Sequence, residues 1–203
     1  VGQLERERRD AVGSLDQFRQ LDTAPEVRLA ALDAAMALVA GADKDVEGRI
    51  LAARGDLRCH HGDLDNAKMD YDRALTLFGD VQNRLGQANV LHRRGDVRRF
   101  RSDFDNAEKD YDRAYELFGE VQSRLGQANV LRARGDLRRT RSDLEGAEKD
   151  YNCAYTFYVE EQDRLGQANV LQARGDLAQA REQWDLALRW YNDVLPTYIE
   201  IQN

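Results

Sequence analysis

Proline is scarce in this sequence, with 2 occurrences among 203 residues, and the 15 glycines are no more than an average share. Because helix interiors exclude proline and glycine, this composition favours helix over sheet. Long apolar runs are also missing: apolar residues make up 42% of the chain, but none of their runs reaches the roughly 18 residues of a membrane-spanning helix. The N-terminal segment is charged and has no secretory apolar region. The sequence therefore predicts a helical protein without a transmembrane span.

Cysteine and an excess of positive charge are lacking as well. Cys59 and Cys153 lie far apart and do not recur in register, whereas a structural disulfide needs paired positions. We therefore expect reduced thiols and a cytoplasmic location. The net charge is −7, while proteins that bind phosphate backbones usually carry a basic excess. No nucleic-acid partner and no membrane partner are expected.

The patterns that carry enzyme chemistry are absent too. The sequence has no glycine-rich phosphate loop, no Gly-x-Ser-x-Gly and no His-Glu-x-x-His. Cys59 and His60 are expected on one helix face with His92 one repeat away, but zinc uses four ligands and no fourth recurs. We predict neither an enzyme nor a cofactor or metal site.

The sequence does contain a repeat of 40 residues. The octapeptide Arg84–Leu91 recurs unchanged at Arg124–Leu131 and Arg164–Leu171. Residues 84–123 and 124–163 are identical at about 25 of 40 positions. Self-similarity at such a period marks a repeat architecture, in which each unit stacks on its neighbours.

Each copy has the pattern of two helices. In the second copy, apolar residues at three- and four-residue spacing predict helices over Leu85–Arg101 and Phe104–Gln122. Ser102 and Asp103 lie between them and are residues that cap helices. Two helices of this length cannot bury their apolar stripes alone, so we expect stacked copies to supply the stability.

Small and aromatic residues recur at fixed positions in the copies. We expect the recurring glycines to allow close helix approach and the recurring tyrosines to fill the space between helices. The glycines are Gly55, Gly95, Gly135 and Gly175, and the tyrosines are Tyr71, Tyr111, Tyr151 and Tyr191.

The pattern Leu91-x3-Gly95…Ala107-x3-Tyr111-x2-Ala114 resembles the signature of the tetratricopeptide repeat. This resemblance implies an all-α solenoid, a right-handed superhelix of helical hairpins, that acts as a protein-interaction scaffold. The period exceeds the usual length of roughly 34 residues. It is similar to the long-repeat subclass of Pins-type spindle-orientation adaptors and of signalling proteins with nucleotide-binding modules.

The repeat register predicts the organisation of the chain as one repeat domain. We predict a degenerate helical hairpin acting as a cap, followed by four repeats, over residues 1–44, 45–83, 84–123, 124–163 and 164–203. The sequence does not start with Met, and it stops at a repeat boundary. We expect the natural protein to continue beyond it.

Charge separates by helix within the copies. Residues 84–101 carry net +5 and residues 102–123 carry net −5. Arginines at four-residue spacing share one helix face, and we expect that face to look towards the acidic second helix. The predicted ion pairs are Arg58 with Asp70, Arg98 with Asp110, and Arg138 with Asp150. Such pairs would specify register more than they add stability.

The opposite face of the first helix lines the concave groove in the family that the sequence resembles, where asparagines hold the main chain of the ligand. An asparagine amide both donates and accepts hydrogen bonds, and arginine suits carboxylates. We therefore predict a groove for a peptide, acidic or with a free C-terminus. The predicted groove residues are Asn89, Asn129, Asn169, His92, Arg132, Gln172, Arg99, Arg139 and Phe100.

Several alternatives stay open at this stage. Asp96 with Arg99 and Asp136 with Arg139 are i, i+3 pairs that would neutralise each other and leave no charge for a ligand. The array would then be a spacer or a rod that self-associates through its ends. A third hypothesis is a sensor or regulatory segment of a larger signalling ATPase or transcription regulator. The four Arg-Gly-Asp triplets are not taken as adhesion sites, because their glycines belong to predicted helices.

Overall fold

The computed structural model describes residues 24–39, 41 and 43–202. Predictions for the first 23 residues lie outside this part, which contains helices and short turns but no strand. The all-α class is therefore confirmed. In this described part the helices are α1 Pro25–Val39, α2 Lys44–His60, α3 Leu64–Asp80, α4 Arg84–Phe100, α5 Phe104–Glu120, α6 Arg124–Thr140, α7 Leu144–Glu160, α8 Arg164–Ala180 and α9 Trp184–Gln202.

The chain folds as two compact units, residues 1–97 and 98–203, with the boundary inside α4. In the first unit α2 and α3 pack as a hairpin, and α1 packs on α2. In the second unit α6 pairs with α7 and α8 with α9, while α5 packs on α6 and α7 on α8. The second unit thus contains two hairpins stacked on one another, and the first contains one complete hairpin with a helix packed on it. The proposed boundaries between the single repeats stay a prediction.

Short turns with left-handed backbone separate the helices. Gly62 has φ +76° between α2 and α3, and Ser142 has φ +63° at the equivalent position between α6 and α7. A residue in this conformation commonly ends a helix. Gln122 also has positive φ, and α5 accordingly ends at Glu120 rather than at the predicted Gln122.

The aspartates of these turns begin the next helix. Asp63 and Asp143 accept hydrogen bonds from the backbone N–H groups of Asn66 and Gly146. This satisfies donors at the helix start that have no partner within the helix. Ser102, predicted as a capping residue beside Asp103, instead lies in the turn with φ +61°.

The recurring glycines accommodate the tyrosine rings of their own hairpins. A Cβ atom on Gly55 would lie 2.6 Å from Cε1 of Tyr71, and one on Gly135 would lie 2.5 Å from Cε1 of Tyr151. These tyrosines are at most 1% exposed. The glycine therefore lets an aromatic ring lie directly on the helix backbone.

A second set of glycines, within the repeated octapeptide, accommodates the helix of the preceding hairpin. A Cβ atom on Gly86 would lie 2.7 Å from Cδ1 of Phe78. Gly126 and Gly166 are packed in the same way against Phe118 and Tyr158. These glycines were not among the residues for which the sequence predicted a role.

Candidate functional site

The predicted arginine–aspartate pairs lie between the two helices of the hairpins. The three aspartates Asp70, Asp110 and Asp150 are each 4% exposed. Arg58 Nη1 lies 2.6 Å from Asp70 Oδ2, and the corresponding distances are 2.8 Å for Arg98 with Asp110 and for Arg138 with Asp150.

In two of the hairpins, a second arginine that the sequence did not predict as a partner also contacts the buried aspartate. Arg134 donates from Nε and Nη2 to the two carboxylate oxygens of Asp150, at 2.9 and 2.8 Å. Arg54 makes the same two-pronged contact with Asp70. A bidentate guanidinium–carboxylate pair is strong and directional. Each of these buried carboxylates is therefore held by two arginines.

Arg134, and Arg94 at the equivalent position of the second copy, also contact the preceding hairpin. Arg134 Nη1 lies 2.6 Å from Asp112 Oδ1, and Arg94 Nη1 lies 2.7 Å from Asp72 Oδ1. One guanidinium thus joins two helices of one hairpin to the hairpin before it. These contacts make the Arg-Gly-Asp arginine a structural residue of the stack.

On the opposite face, the second unit has a depression that brings five of the predicted groove residues together. It encloses about 300 Å³ between α6, α8 and the end of α4. The predicted residues that line it are Arg99, Arg132, Arg139, Asn169 and Gln172. Asp136, Ala173 and Asp176 complete the lining.

The asparagines of this face are partly engaged by tyrosines. Tyr158 donates its hydroxyl to Asn129 Oδ1 at 2.7 Å, and Tyr198 donates to Asn169 Oδ1 at 2.8 Å. Asn89 instead donates from Nδ2 to the Leu85 carbonyl at 3.0 Å. The amide oxygens of Asn129 and Asn169 therefore support the fold as well as facing the groove.

Tyr198 also holds Gln172. Its hydroxyl lies 2.9 Å from the side-chain amide of Gln172. Because the single hydroxyl hydrogen goes to Asn169, the Gln172 amide donates one N–H to the hydroxyl oxygen and keeps its second N–H. Within the described part of the chain, the amide nitrogen of Asn169 has no acceptor. Two amide groups with N–H donors left over thus lie side by side in one depression. Sequence reasoning missed Tyr198, although the recurrence of tyrosine at Tyr158 and Tyr198 was visible.

A buried and a half-buried tyrosine, Tyr151 and Tyr191, also hold the aspartates of this face. Tyr151 donates to Asp136 Oδ1 at 2.7 Å, and Tyr191 donates to Asp176 Oδ1 at 2.7 Å. Burial, together with the bond to Asp176, raises the pKa of Tyr191 to about 12. These hydroxyls stay protonated at neutral pH and remain donors, so they fix the carboxylates in the wall of the depression.

Arg132 and Arg139 pair with partners other than the i, i+3 pair expected for Asp136 and Arg139. Arg132 Nη1 lies 3.3 Å from Asp136 Oδ2, one turn along the same helix. Arg139 Nη2 lies 3.8 Å from Asp176 Oδ2 in the following hairpin. Within the described part, the buried Nε of Arg139 has no hydrogen-bond partner. The second pair is long and Tyr151 also contacts the guanidinium, so Arg139 retains donor capacity in its remaining N–H groups.

The first unit has its own depression, of about 370 Å³, between α2 and α4. Of the predicted residues, Asn89 lines it, together with Arg49, Arg93 and the ring of Phe78. Arg93 Nη1 lies 3.1 Å from Asp56 Oδ1. Polar groups and an aromatic ring meet here, with fewer of the predicted residues than in the second unit.

The three remaining predicted residues, Asn129, His92 and Phe100, line neither depression. His92 is half-buried, and its Nε2 lies 3.8 Å from Asp96 Oδ2. Phe100 is 65% exposed, with the guanidinium of Arg99 4.5 Å from its ring centre. An exposed aromatic ring under an arginine is available to a partner, but it does not line the cavity.

Cys59, which was considered with His60 and His92 as a possible metal ligand, contacts a tyrosine. Cys59 contacts the hydroxyl of Tyr71, 3.6 Å from its Sγ. Among the residues that the structure describes, no three His, Cys, Asp or Glu side chains are grouped as metal ligands. None of the helices α1 to α9 combines the length and the apolar character that crossing a membrane requires.

Solved structures with this fold are numerous. BtubC (BKLC) from P. vanneervenii superposes with a TM-score of 0.71 at 16% identity, covering 98% of this chain and 92% of that one. A Rap protein complexed with the competence and sporulation factor gives 0.77 at 12% identity, covering 100% of this chain and 53% of that one. The nearly identical TPR-like repeats of a Podosopora anserina kinesin light chain give 0.67 at 9% identity, covering 98% and 96%.

These likenesses confirm the predicted fold, an all-α repeat solenoid. A search of curated protein sequences finds no match. The tetratricopeptide repeat model matches residues 46–120 and 86–160. The two matches together span more than half of the chain, which therefore belongs to the tetratricopeptide repeat family.

Proposed function

We propose that this protein is an adaptor that binds an acidic peptide segment of a partner protein in the depression between α6 and α8. Tetratricopeptide repeats generally mediate protein–protein interaction and are generally not enzymes. One structural neighbour, the Rap protein, was solved with a bound factor. The similarity to Pins-type adaptors, a signalling role and a cytoplasmic location belong to the same proposal.

The proposal rests on one observation: the depression between α6 and α8 brings together hydrogen-bond donors that retain N–H groups for a ligand. Asn169 and Gln172 contribute amide N–H groups, and Arg139 contributes a guanidinium whose ion pair with Asp176 spans 3.8 Å. Amide donors suit the carbonyl oxygens of an extended peptide. A guanidinium suits a carboxylate side chain or a free C-terminus.

The aspartates of the cavity limit which peptide fits. Asp136 and Asp176 already receive hydroxyl bonds from Tyr151 and Tyr191. A ligand carboxylate must compete with Asp176 for Arg139, so the affinity rests on several contacts rather than one. We expect binding to weaken with salt, because exposed charges are screened over about 10 Å at 0.1 M salt.

Selection of peptides from a displayed random library tests the proposal. The wild-type chain serves as bait, and the double variant Arg132→Gln, Arg139→Gln serves for counter-selection. We expect enriched peptides to carry Asp or Glu, and to bind the double variant at least about tenfold more weakly, in line with the loss of charge-assisted hydrogen bonds.

A matched control uses two arginines outside the cavity. Arg73 and Arg189 are exposed and pair with no described residue, so Arg73→Gln with Arg189→Gln changes the net charge equally without touching the depression. If the enriched peptides bound the double variant as tightly as the wild type, the groove proposal would be wrong. The Asn129→Ala change is less informative, because it also removes the bond from Tyr158.

Self-association is the second candidate, and the outer face of α9 favours it. Trp184, Leu188, Leu195 and Ile199 are between 53% and 61% exposed. Apolar groups at such exposure commonly mark an interaction surface. Light scattering during size exclusion distinguishes this candidate: a mass that rises with protein concentration, and falls for Leu188→Glu with Leu195→Glu, supports assembly through α9.

A further inference from the structure

The fourth hairpin keeps the arginine of the ion-pair ladder but has lost both of its carboxylates. Arg174 is equivalent to Arg54, Arg94 and Arg134. Trp190 stands where Asp70, Asp110 and Asp150 stand in the other copies, and Asn152 stands where Asp72 and Asp112 stand.

The surroundings of Arg174 follow from these replacements. Its Nη2 donates to Asn152 Oδ1 at 2.6 Å. Its guanidinium lies 4.8 Å from the ring centre of Tyr155 and 5.3 Å from that of Trp190. Among the described residues no carboxylate lies within ion-pairing distance of it. Arg134, by contrast, contacts the carboxylates of Asp150 and Asp112.

A cavity lies beside this arginine. Ala178 stands where Arg138 reaches Asp150 in the third copy, so the volume of a long side chain is missing. The cavity encloses about 270 Å³. Its lining shares no residue with the depression between α6 and α8. It combines Arg174 with the side chains of Leu186 and Trp190. Its wall also contains Glu148, whose carboxylate is paired with Arg181 at 2.7 Å.

Because Arg174 is partly buried, its charged form loses free energy of hydration that no carboxylate partner within the described part of the chain offsets. Desolvation lowers the pKa of Arg174, whereas hydrogen bonds to Asp150 raise the pKa of Arg134. A partly buried cation gains when an anion enters its surroundings. The aromatic rings offset part of the cost, since cation–π contacts are favourable, but they leave the forked donors of the guanidinium without the two carboxylate oxygens that Arg134 binds.

We propose that Arg174, Trp190 and Leu186 form a second docking site, which binds an Asp or Glu side chain flanked by apolar residues on a partner polypeptide. The other copies indicate which chemical group the Arg174 guanidinium binds, because an aspartate stands at the position of Trp190 in all three. The apolar lining selects a peptide rather than a small carboxylate, since flanking side chains can bury surface against Leu186 and Trp190.

Nuclear magnetic resonance titration of the full chain tests the site. The probe is acetyl-Leu-Asp-Leu-amide, and the observed signals are the indole N–H of Trp190 and the Nε–H of Arg174. We expect saturable shifts of both signals, and binding at least about tenfold weaker for acetyl-Leu-Asn-Leu-amide, which lacks the charge.

The chain offers a variant that weakens the site without unfolding the protein. Asn152→Asp is isosteric and recreates the ion pair that Arg94 and Arg134 make with Asp72 and Asp112. We expect it to leave the thermal midpoint unchanged or raised and to weaken the Asp peptide about tenfold, because the added carboxylate partly neutralises the guanidinium and repels the carboxylate of the peptide. Arg174→Gln should weaken the peptide by a similar factor.

Three results would overturn the proposal. They are equal binding of the Asp and Asn peptides, undiminished binding by Asn152→Asp, and acetate that binds as tightly as the Asp peptide. Arg132→Gln with Arg139→Gln should leave the tripeptide affinity unchanged, so failure here is distinguishable from failure of the groove between α6 and α8.

Discussion

At the scale of single residues, the invariant glycines are explained by the rings that lie on them. Gly135 receives the ring of Tyr151, whose hydroxyl is tied to Asp136 at 2.7 Å. A ring held at both ends cannot move aside for an added methyl group. The same reasoning applies to Gly55 with Tyr71, where the hydroxyl is tied to Asp56 at 2.8 Å.

Gly135→Ala should therefore destabilise the protein. The new Cβ would lie 2.5 Å from Cε1 of Tyr151, and overpacking of this kind outweighs the better helix propensity of alanine. We expect a loss of about 1–2 kcal/mol in the free energy of unfolding, measured by urea titration.

Gly79→Ala is the matched control. Gly79 lies in α3, and an added Cβ there meets nothing within 4 Å. We expect this variant to gain up to about 1 kcal/mol. Equal effects of the two substitutions would refute the packing explanation.

At the scale of helices, the repeated octapeptide is a connector between hairpins. In its third occurrence Gly166 packs on Tyr158, and Gln167 donates to the Tyr158 carbonyl at 3.2 Å. Ala168 and Val170 are buried, and the Asn169 oxygen receives Tyr198. Packing and hydrogen bonding thus account for most of its invariance, and identity among copies is not by itself evidence of ligand contact.

The turns set the ends of the helices, and one serine in them is in an unfavourable conformation. Ser142 has φ +63°, a region that costs a residue with a Cβ about 1–2 kcal/mol and costs glycine little. We expect Ser142→Gly to raise the free energy of unfolding by about 0.5–1 kcal/mol, after allowing for the greater flexibility of unfolded glycine. Gly62 already occupies the equivalent turn.

Ser123→Gly makes the same chemical change with the opposite expected sign. Ser123 caps α6 by accepting a hydrogen bond from Gly126 N–H at 3.2 Å. Its loss should cost a few tenths of a kcal/mol. If both serine variants shift the thermal midpoint in one direction, the turn explanation is wrong.

At the scale of the whole molecule, the alternation of basic and acidic helices becomes a network of ion pairs that makes folding sensitive to acid. Burial alone would raise the pKa of Asp72, but hydrogen bonds from Lys68 and Arg94 outweigh it and hold the pKa below its usual value. Such a carboxylate stabilises the fold above its unfolded pKa of about 3.9, and the contribution disappears as pH falls through the lower folded pKa.

Asp72→Asn should therefore be less stable than the wild type at pH 7, and the difference should vanish below about pH 3. We expect less than about 1 kcal/mol, because the Asp72 side chain is 39% exposed and solvent screens the pair. Thermal unfolding between pH 2.5 and 7 measures this. Asp193→Asn, at an exposed aspartate that pairs with no described residue, should show no such convergence.

Periodicity and spacing predicted the helices, and the pattern of Arg58 with Asp70 placed an arginine and an aspartate on facing surfaces. The same patterns failed to show that Arg54 shares that carboxylate, because its side chain must cross to a helix whose rotation depends on packing. They also placed the asparagines in a groove, without revealing that Tyr158 and Tyr198 bind Asn129 and Asn169 from the next helix.

The sequence by itself determined the class of fold, the family and the helix faces, since each depends on residues a few positions apart in a repeat of constant length. Only the tertiary structure decided which polar groups have capacity left over. Asn169 and Arg139 meet in one depression while Arg174 lies beside another, because contacts between successive hairpins depend on how the helices rotate against one another. That rotation is set by packing, such as Gly166 under Tyr158, and not by the pattern within one helix.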